Sequence, residues 1–391
     1  MTLPHRRVGP LLLSTAAAAA LAAAPAAAYA SATNGGSQIV GHVYVNDNTA
    51  GSNTIGAFDR HADGTLTPEP GSPFTAGGAG SGSGLASQGS LQLTADGRYL
   101  LAVDAGSNQI SVLRIGPDGS LSLVPGGVVS SGGGLPVSVA IHRRLVYVAN
   151  ASPTDSNLTG FSLGHDGQLT AIPGSTVSLP NGSQPGDVLF NGTGRKLVAT
   201  LVGTSQIASF TVGWRGLLTA APGSPFPAQG LGPFGSEFRP GAPSQLFVSN
   251  AHNGGTTGTG TVSALRDSRA GTLSSIGDSP FADHQTAPCW VAISPDGRYL
   301  FAVNTGSGSI SSYSIGWDGS LTLIGSTPVS STAGVGAVDA GLSPDGRFLY
   351  LNESRTDSVG IFAVSGGDLT ELSSSPVALP SGATPAGMVV S

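Results

Sequence analysis

Three residues of this sequence, Asp187, Trp290 and Asp339, occupy the same place in a repeated pattern, two positions after a proline or alanine that opens an apolar run. Two carboxylates that face a shared channel could bind a cation or act as a general acid and base. A tryptophan beside them offers a flat apolar face, which suits a sugar ring. We predict a ligand-binding site lined by these three residues, with the two aspartates as catalytic candidates. The alternative is that both aspartates hydrogen-bond turn amides and that Trp290 packs between neighbouring units.

Glu353 and Arg355 are two further catalytic candidates. Glu353 belongs to a column of residues, six of seven polar, that end the second apolar run of each repeat: Asp47, Asp104, Asn150, Leu201, Asn250, Asn304 and Glu353. Asn and Asp at the end of a strand usually start a turn by bonding their own backbone, so this column predicts turns. Glu353 departs from that pattern, with Arg355 close by, and is therefore a candidate for chemistry.

The remaining residue types predict neither a cofactor nor a metal site. The single cysteine, Cys289, lies in an apolar run and is predicted to be a small buried hydrophobe. The spacings of the histidines match no metal-binding motif. A Gly-x-Ser-x-Gly pattern at residues 80–84 lies in a Gly/Ser run, so it predicts a flexible loop rather than a nucleophile elbow.

The elements that position these residues are predicted from a recurring corner, Asp-Gly-x-Leu or a close variant. It occurs at Asp63–Leu66, Asp118–Leu121, Asp166–Leu169, Arg215–Leu218, Ala270–Leu273, Asp318–Leu321 and Gly366–Leu369. Each interval of 48 to 55 residues between the corner leucines holds four short runs of strand type, separated by Gly, Pro and Asp turns. A period of this length predicts propeller blades. We therefore predict an all-β fold, a seven-bladed β-propeller with four antiparallel strands in each blade.

The two ends of the repeat predict how the ring closes. Ile39–Asp47 matches the second strand of a blade and has no first strand before it, whereas Thr384–Ser391 matches a first strand and no blade follows it. We predict that the C-terminal strand joins the first blade, beside the strand that contains Val43 and Val45. Such closure removes the open sheet edges that invite aggregation.

Residues 1–30 are predicted to be a secretory signal peptide, followed by a flexible arm over 31–38 and the propeller over 39–391. The leader has a basic start with Arg6 and Arg7, an alanine-rich apolar core, and the small-residue site Ala28-Tyr29-Ala30. We expect cleavage near Ala30 and a secreted protein, extracellular or periplasmic, exported by the general secretory or the twin-arginine route. No other segment is long and apolar enough to span a membrane.

Charge and composition narrow the class of partner. The formal net charge is −6, only 10% of the residues are charged, and no basic patch is visible in the sequence, so we predict no nucleic-acid binding. We expect a monomer whose partner is a small molecule, a glycan or a protein ligand at the central channel.

Several segments resemble a known family. Ser294–Asn304, Thr94–Asp104 and Ser343–Glu353, together with the Asp-Gly-Ser-Leu corners, resemble the lactonase-type seven-bladed propellers, which include 6-phosphogluconolactonase-like and 3-carboxymuconate-cyclase-like proteins. Val146–Asn150 is similar to the strands of YVTN-type repeats. The resemblance covers essentially Ile39–Ser391. It implies the propeller fold, and it implies an enzyme that hydrolyses or cyclises a sugar or organic-acid lactone.

The resemblance also implies a Pro-Arg-His-like motif at the start of the inner strands, which would supply cationic and acid/base groups. This chain has no arginine or histidine at the seven matching pairs, which are Gly89-Ser90, Val137-Ser138, Gly186-Asp187, Phe234-Gly235, Cys289-Trp290, Val338-Asp339 and Ala386-Gly387. An anionic substrate would therefore lack its cationic clamp, and a neutral ligand is expected.

Two functions follow from the sequence, and they belong to different classes. The first is a secreted enzyme of the lactonase or cyclase type. The alternative is a non-catalytic propeller that binds a protein, a glycan or a small ligand at the channel mouth. A mouth lined by convergent polar side chains would indicate the enzyme, and a shallow face would indicate the binding protein.

Overall fold

The computed structural model describes residues 37–251, 256–329 and 336–391. In these residues the regular elements are β-strands, and no α-helix occurs. The predicted leader at 1–30 and most of the predicted arm lie outside the described residues, so both stay predictions. No helix of the described residues is long and apolar enough to cross a membrane.

Seven antiparallel sheets form the seven blades, and each has at least four strands. Blade 1 consists of Gly387–Val390, Ile39–Asn46, Thr54–His61, Leu66–Pro68 and Phe74–Thr75; blade 2 of Leu91–Leu93, Tyr99–Asp104, Gln109–Ile115 and Leu121–Ser130; blade 3 of Pro136–His142, Leu145–Asn150, Asn157–Leu163, Leu169–Ala171 and Val177–Ser178. Blade 4 consists of Pro185–Phe190, Lys196–Leu201, Gln206–Val212, Leu218–Ala220 and Phe226–Pro227; blade 5 of Pro233–Phe238, Gln245–Asn250, Thr261–Asp267, Leu273–Ser275 and Phe281–Ala282. Blade 6 consists of Pro288–Ile293, Tyr299–Asn304, Ser309–Ile315 and Leu321–Pro328; blade 7 of Ala337–Leu342, Phe348–Glu353, Ser358–Ser365, Asp368–Glu371 and Val377–Ala378. In the order given, these are the first to fourth strands of each blade, and the two-residue fifth strand pairs with the third strand.

The first strands contact one another around a closed ring, from blade 1 through blade 7 and back to blade 1. They therefore form the wall of the central channel. Ring closure is made by the pairing of Gly387–Val390 with Ile39–Asn46, in which Val43 lies opposite Val390 and Val45 opposite Met388. The predicted seven-bladed fold and its closure by the C-terminal strand are both confirmed.

The turns form where the sequence predicts them, and side-chain chemistry explains why. Asp296 Oδ1 accepts a hydrogen bond from the backbone N of Arg298 at 3.0 Å, while Gly297 takes a φ of 69° that glycine adopts without strain. The corner at Asp318 has the same hydrogen bond between side chain and backbone, because Asp318 Oδ1 accepts from the backbone N of Ser320 at 3.0 Å.

The apolar core lies between neighbouring blades and not within single sheets. Tyr147 of blade 3, for example, packs edge-on against Phe190 of blade 4, with ring centroids 6.2 Å apart. Buried tyrosines of blades 1, 3 and 7 also donate to a corner glycine carbonyl of the next blade. These bonds are Tyr44 to Gly119, Tyr147 to Gly216 and Tyr350 to Gly64, at 2.8, 2.8 and 3.0 Å. The repeated corner thus joins blades together as well as turning the chain.

Candidate functional site

Asp187 lies on the first strand of blade 4 and bonds to both neighbouring blades. Its Oδ1 accepts from Ser138 Oγ of blade 3 at 3.2 Å. Its Oδ2 accepts from the backbone N and the Oγ of Ser236 in blade 5, at 3.1 and 2.7 Å. The residue is only 2% exposed, and this burial raises the pKa of its carboxyl to about 7. Asp187 therefore connects three first strands inside the ring.

Asp339 connects two first strands, those of blades 7 and 1, at the point where the ring closes. It lies on the first strand of blade 7, and its Oδ2 accepts from the backbone N of Met388 in blade 1 at 3.0 Å. Its Oδ1 accepts from the backbone N of Ala340 at 2.9 Å. Burial, with a smaller effect from the nearby charge of Asp187, raises the pKa of Asp339 to about 7.

Glu237 is the third carboxyl of this group, and the sequence analysis did not select it. It lies on the first strand of blade 5, and its Oε2 accepts from the backbone N of Ile293 in blade 6 at 3.0 Å. Burial, followed by the charges of Asp187 and Asp339, raises the pKa of Glu237 to about 8. The effects of Asp187 and Asp339 on Glu237, and of Asp187 on Asp339, indicate that the three side chains, here called the carboxyl trio, lie near one another inside the ring. Glu237 is half-buried, whereas both aspartates are buried.

No basic side chain among the described residues contributes to the pKa values of the carboxyl trio. The seven first strands contain one basic residue, His142, which is the last residue of its strand. Carboxyls without a counter-charge hold their protons near neutral pH. The trio can therefore both donate and accept protons in that range, as general acid–base catalysis requires.

A short segment of the chain, residues 86–89, crosses the channel where the first strands begin; we call it the crossing segment. It precedes the first strand of blade 2, yet the carbonyl oxygen of Ser87 accepts from Trp290 Nε1 of blade 6 at 2.9 Å. The Oγ of Ser87 donates to the carbonyl oxygen of Val137 in blade 3 at 2.8 Å. Ser87 therefore connects blade 3 with blade 6, across blades 4 and 5.

Gln88 extends these contacts to the remaining blades of that arc. Its backbone N donates to Gly186 O at 2.8 Å, and its Nε2 donates to Ser236 O at 3.3 Å. Its Oε1 accepts from the backbone N of Val291 at 3.1 Å. A Cβ on Gly235 would lie 2.1 Å from the same Oε1, so the glycine gives Gln88 its room. The crossing segment covers the entrance that the sequence predicts as the ligand site.

Trp290 lies under this cover. Its ring packs edge-on against Phe234 of blade 5, with centroids 5.0 Å apart, and the residue is 5% exposed. The structure thus adopts the packing that the sequence analysis gave as the alternative for Trp290. A ligand-binding role for Trp290 stays a prediction, and it would require the crossing segment to move.

The Gly/Ser run at 80–84, expected to be a flexible loop, is anchored on blade 1. Ser81 donates its backbone N to Asn48 Oδ1 at 2.8 Å, and Asn48 Nδ2 donates to Ser83 O at 2.7 Å. Because the run leads directly into the crossing segment, these bonds help to hold Ser87 and Gln88 in the channel.

Glu353 and Arg355 lie apart from the carboxyl trio. Glu353 is buried at the end of the second strand of blade 7, and its Oε2 accepts from Thr356 Oγ1 at 3.2 Å and Ser358 Oγ at 3.0 Å. Arg355 is exposed. The structure therefore brings Asp187 and Asp339 together, adds Glu237 to them, and leaves Glu353 and Arg355 outside the group.

The column of polar strand ends differs from the expected local turns. Asn150 Nδ2 donates to Asn157 Oδ1 at 2.9 Å, and Asn304 Nδ2 donates to Ser309 Oγ and Ser311 Oγ at 3.1 and 2.9 Å. The partners are side chains of the third strand, five to seven residues on. The column therefore fastens the second strand to the third, because a buried amide needs partners that the turn backbone alone does not supply.

Cys289 is buried, as predicted, and burial raises the pKa of its thiol to about 11. A thiol with such a pKa is not a nucleophile near neutral pH. Among the described residues, one group of three side chains is close enough to hold a metal ion, and it lies on the outer strands of blade 1, not in the channel.

Comparisons with known proteins agree with this architecture. The family model described as "Lactonase, 7-bladed beta-propeller" matches residues 91–329, which span blades 2 to 6. None of the curated proteins matches the chain.

Solved structures give the same fold over nearly the whole chain. A candidate 6-phosphogluconolactonase from Bacteroides fragilis is 21% identical with a TM-score of 0.71, covering 90% of this chain and 98% of that chain. The periplasmic gluconolactonase PpgL from Pseudomonas aeruginosa is 18% identical with a TM-score of 0.70, covering 90% of this chain and 98% of that chain. At such identities the likeness shows the fold alone.

Proposed function

Because this chain belongs to the family of lactonase-type seven-bladed β-propellers, we propose that it hydrolyses a neutral sugar lactone or organic-acid lactone in its central channel. The observation that carries this proposal is the carboxyl trio. Glu237 is half-buried, has a pKa of about 8, and lies in the field of two buried, hydrogen-bonded aspartates. Such a carboxyl is suited to acid–base catalysis near neutral pH.

Glu237 is the catalytic residue of the proposal. Lactone hydrolysis forms a bond between a water oxygen and the carbonyl carbon and breaks the bond between that carbon and the ring oxygen. The Glu237 carboxylate takes the proton from the water, and the resulting acid returns it to the ring oxygen as that oxygen leaves. Asp187 and Asp339 are positioning residues, because their oxygens already accept bonds from neighbouring strands and their charges add to the effect of burial in raising the pKa of Glu237. The proposal gives Glu353 and Arg355 no role in the reaction.

The substrate of the proposal is uncharged. A phosphorylated or carboxylated lactone would find no cation to bind it, because the first strands offer no basic residue except His142 at the end of one of them, and it would be repelled by any carboxyl of the trio that is ionised. The name of the Pseudomonas aeruginosa neighbour, a gluconolactonase, is in line with a lactone of this kind.

The proposed entrance is the end of the channel where the first strands finish. At their starts most of these strands are buried and covered by the crossing segment, and in several blades the exposure rises towards the end of the strand, whereas the first strand of blade 6 is buried along its whole length. In blade 5 the change comes at Glu237, and blades 1 and 2 show the same trend at Val389 and Gln92. This entrance is opposite to the mouth that the sequence analysis selected.

The test is the hydrolysis of a panel of neutral and phosphorylated lactones by the full chain. We expect turnover of a neutral lactone, and Glu237→Gln should lower kcat by at least about a hundredfold, as expected for loss of an acid–base group. The matched control is Glu371→Gln, on the fourth strand of blade 7, which should leave kcat unchanged. Preference for a phosphorylated lactone, or full activity of Glu237→Gln with its fold intact, would contradict the proposal.

The second candidate is a non-catalytic propeller that binds a glycan, a small molecule or a protein. The observation in its favour is the crossing segment, which covers the channel mouth with main-chain and Gln88 contacts. Absence of turnover for all lactones, together with saturable binding of an uncharged sugar by calorimetry, would favour this function.

We also propose that the protein is exported after removal of residues 1–30 and works as a monomer. The basic start, apolar core and small-residue site of the leader support this. Mass spectrometry of the exported protein should find Ser31 as its first residue, and sedimentation should give the mass of one chain. A chain that stays in the cell unprocessed would contradict the proposed export, and a stable dimer would contradict the proposed monomer.

A further inference from the structure

Three side chains with metal-binding atoms converge on the outer part of blade 1. His42 lies on the second strand, Asp59 on the third strand, and Glu69 directly after the fourth strand. His42 Nδ1 is 3.2 Å from Asp59 Oδ1 and 4.0 Å from Glu69 Oε2, and the three atoms all lie within 4.8 Å of one another. They open into a surface groove whose other wall is formed by Pro117 and Asp118 of blade 2.

None of these three atoms makes a hydrogen bond with the described residues. The side chain of Glu69 is only 5% exposed, so its unpartnered Oε2 is directed into the cluster and away from bulk water. Burial and the neighbouring Asp59 raise the pKa of the Glu69 carboxyl to about 7. Two carboxyls and an imidazole that are buried together without hydrogen-bond partners are unfavourable unless a cation or a proton completes the group.

The other blades show that the fold does not require a glutamate at this position. The backbone N of Glu69 donates to the third-strand carbonyl of Ala57 at 2.9 Å, and the same bond marks the equivalent residue elsewhere. The equivalents in blades 3, 4, 5 and 7 are Ile172, Ala221, Ile276 and Leu372. All four are apolar, as is usual for residues in a protein core.

The partners of Glu69 are also particular to blade 1. Strand pairing matches His42 and Asp59 with each other, and the matching pair in blade 3 is Leu145 and Ser162. In blade 7 it is Phe348 and Ala363. In blades 4 and 5 the matching pair contains a basic residue, as Lys196 with Thr211 and Gln245 with Arg266. Of these five blades, blade 1 is the one that combines a histidine, an aspartate and a glutamate at the three positions.

We propose that His42, Asp59 and Glu69 bind a divalent transition-metal cation, with Zn²⁺ as the representative ion. Tetrahedral zinc with ligands at about 2.0–2.1 Å separates neighbouring ligand atoms by about 3.3 Å. The observed 3.2 Å matches this separation, and a small rotation of the Glu69 side chain shortens the 4.0 Å to it. The imidazole nitrogen disfavours Mg²⁺ and Ca²⁺, which prefer oxygen ligands. The fourth position faces the groove, where water completes the coordination.

Such a metal would stabilise the blade that closes the ring. It would link the second strand, the third strand and the chain after the fourth. The backbone of His42 is itself bonded to the C-terminal residue, because its N donates to Ser391 Oγ at 2.9 Å. A cation that binds only the folded protein raises the melting temperature by mass action, so zinc should do so here. This inference does not depend on the proposed lactonase activity.

The test uses the full chain after treatment with a chelator and removal of any affinity tag. Calorimetry with ZnCl₂ should show about one strong site per chain, and Zn²⁺ should raise the Tm where Mg²⁺ and Ca²⁺ do not. Glu69→Gln and His42→Gln should each weaken zinc binding at least tenfold and remove the Tm rise. Glu69→Leu copies Leu372 of blade 7; it should lose zinc binding and melt, without metal, at or above the temperature of the wild type.

Glu371→Gln is the matched control, since it changes a glutamate outside the cluster and should keep zinc binding. Near-UV circular dichroism establishes that each variant is folded. The proposal is wrong if the wild type has no stoichiometric zinc site, or if folded Glu69→Gln and Glu69→Leu bind zinc as the wild type does, which would indicate adventitious surface sites. It is also wrong if zinc does not raise the Tm while Glu69→Leu reduces the rise in Tm on lowering the pH, because the cluster would then hold only a proton.

Discussion

At the scale of single residues, burial decides the chemistry of the channel carboxyls more than residue type does. Asp187 and Asp339 each accept bonds from a neighbouring first strand, and each has a pKa of about 7. Glu237, with one bond to a backbone N and a half-buried side chain, has the highest pKa of the three, about 8. The same desolvation that protonates these groups makes Glu237 the one suited to exchange protons with a substrate.

These pKa values predict how stability depends on pH. Each carboxyl has a higher pKa in the folded protein than in the unfolded chain, so folding favours its protonated form. The stabilisation is complete below the unfolded value, near pH 4, and is lost as the pH rises through the folded values of about 7 to 8. We expect the Tm and the free energy of unfolding to fall between pH 5 and about 8, and we expect Glu237→Gln to make the decline in the free energy of unfolding shallower by up to about 1.4 kcal/mol per pH unit near the upper end. Thermal melts of the wild type and Glu237→Gln across this pH range test the prediction. A Tm that rises with pH, or equal slopes for the wild type and Glu237→Gln, would contradict the assignment.

At the scale of elements, the crossing segment determines which end of the channel is accessible. Ser87 and Gln88 bond to blades 3 to 6, and Gly235 leaves the space that Gln88 occupies. The buried indole of Trp290 reports on this segment because its Nε1 donates to Ser87 O. The two other tryptophans, Trp214 and Trp317, are exposed at corners, and their fluorescence would mask that of Trp290.

We predict that Trp290 resists quenching in a protein that carries Trp214→Phe and Trp317→Phe. Acrylamide should quench its fluorescence weakly, since the ring is covered by Phe234 and Ser87. Adding Gln88→Ala should increase quenching and lower the free energy of unfolding by about 1–3 kcal/mol, because Val291 N loses its partner. A bound neutral lactone should leave the emission unchanged. Protection of Trp290 by the lactone would instead support the mouth that the sequence analysis selected.

At the scale of the whole molecule, the ring depends on a short strand at the end of this sequence. Gly387–Val390 completes blade 1, Arg60 bonds to Ser391 O at 2.9 and 2.8 Å, and Asp339 accepts from Met388 N. Removing this strand breaks all three connections and exposes the edge of Ile39–Asn46.

Deletion of residues 384–391 should therefore destabilise the protein by more than about 4 kcal/mol, which is an exceptional loss for a local change. Deletion of Ser391 alone should have a much smaller effect, since the strand pairing remains. Urea unfolding of the two truncations and the full chain measures the difference. Similar midpoints for the 384–391 deletion and the full chain would show that closure contributes little.

The sequence by itself determined the number of blades, the turns and the closure. Strand alternation and turn chemistry are local, so corners such as Asp318-Gly319 and the unmatched ends at Ile39 and Ser391 were sufficient. The same alternation could have found Glu237. Gly235 follows Pro233 by two residues, as Asp187 follows Pro185, and Glu237 comes two residues after Gly235, on the same face of its strand.

Only the tertiary structure decided which polar residues meet. Trp290 and Ser87 are 203 residues apart, and the bonds from Asp187 to its neighbours span 49 residues, so no local pattern contains these pairs. The Gly/Ser run at 80–84 has a composition that predicts flexibility, yet its backbone finds partners on Asn48 of blade 1, which is 33 to 35 residues away in the sequence. The cluster of His42, Asp59 and Glu69 likewise joins two strands and the residue after another strand. The spacing of the three residues matches no motif, because strand packing brings their side chains together. A repeat specifies the blades, but the side chains that differ between blades acquire their function from the neighbours that closure gives them.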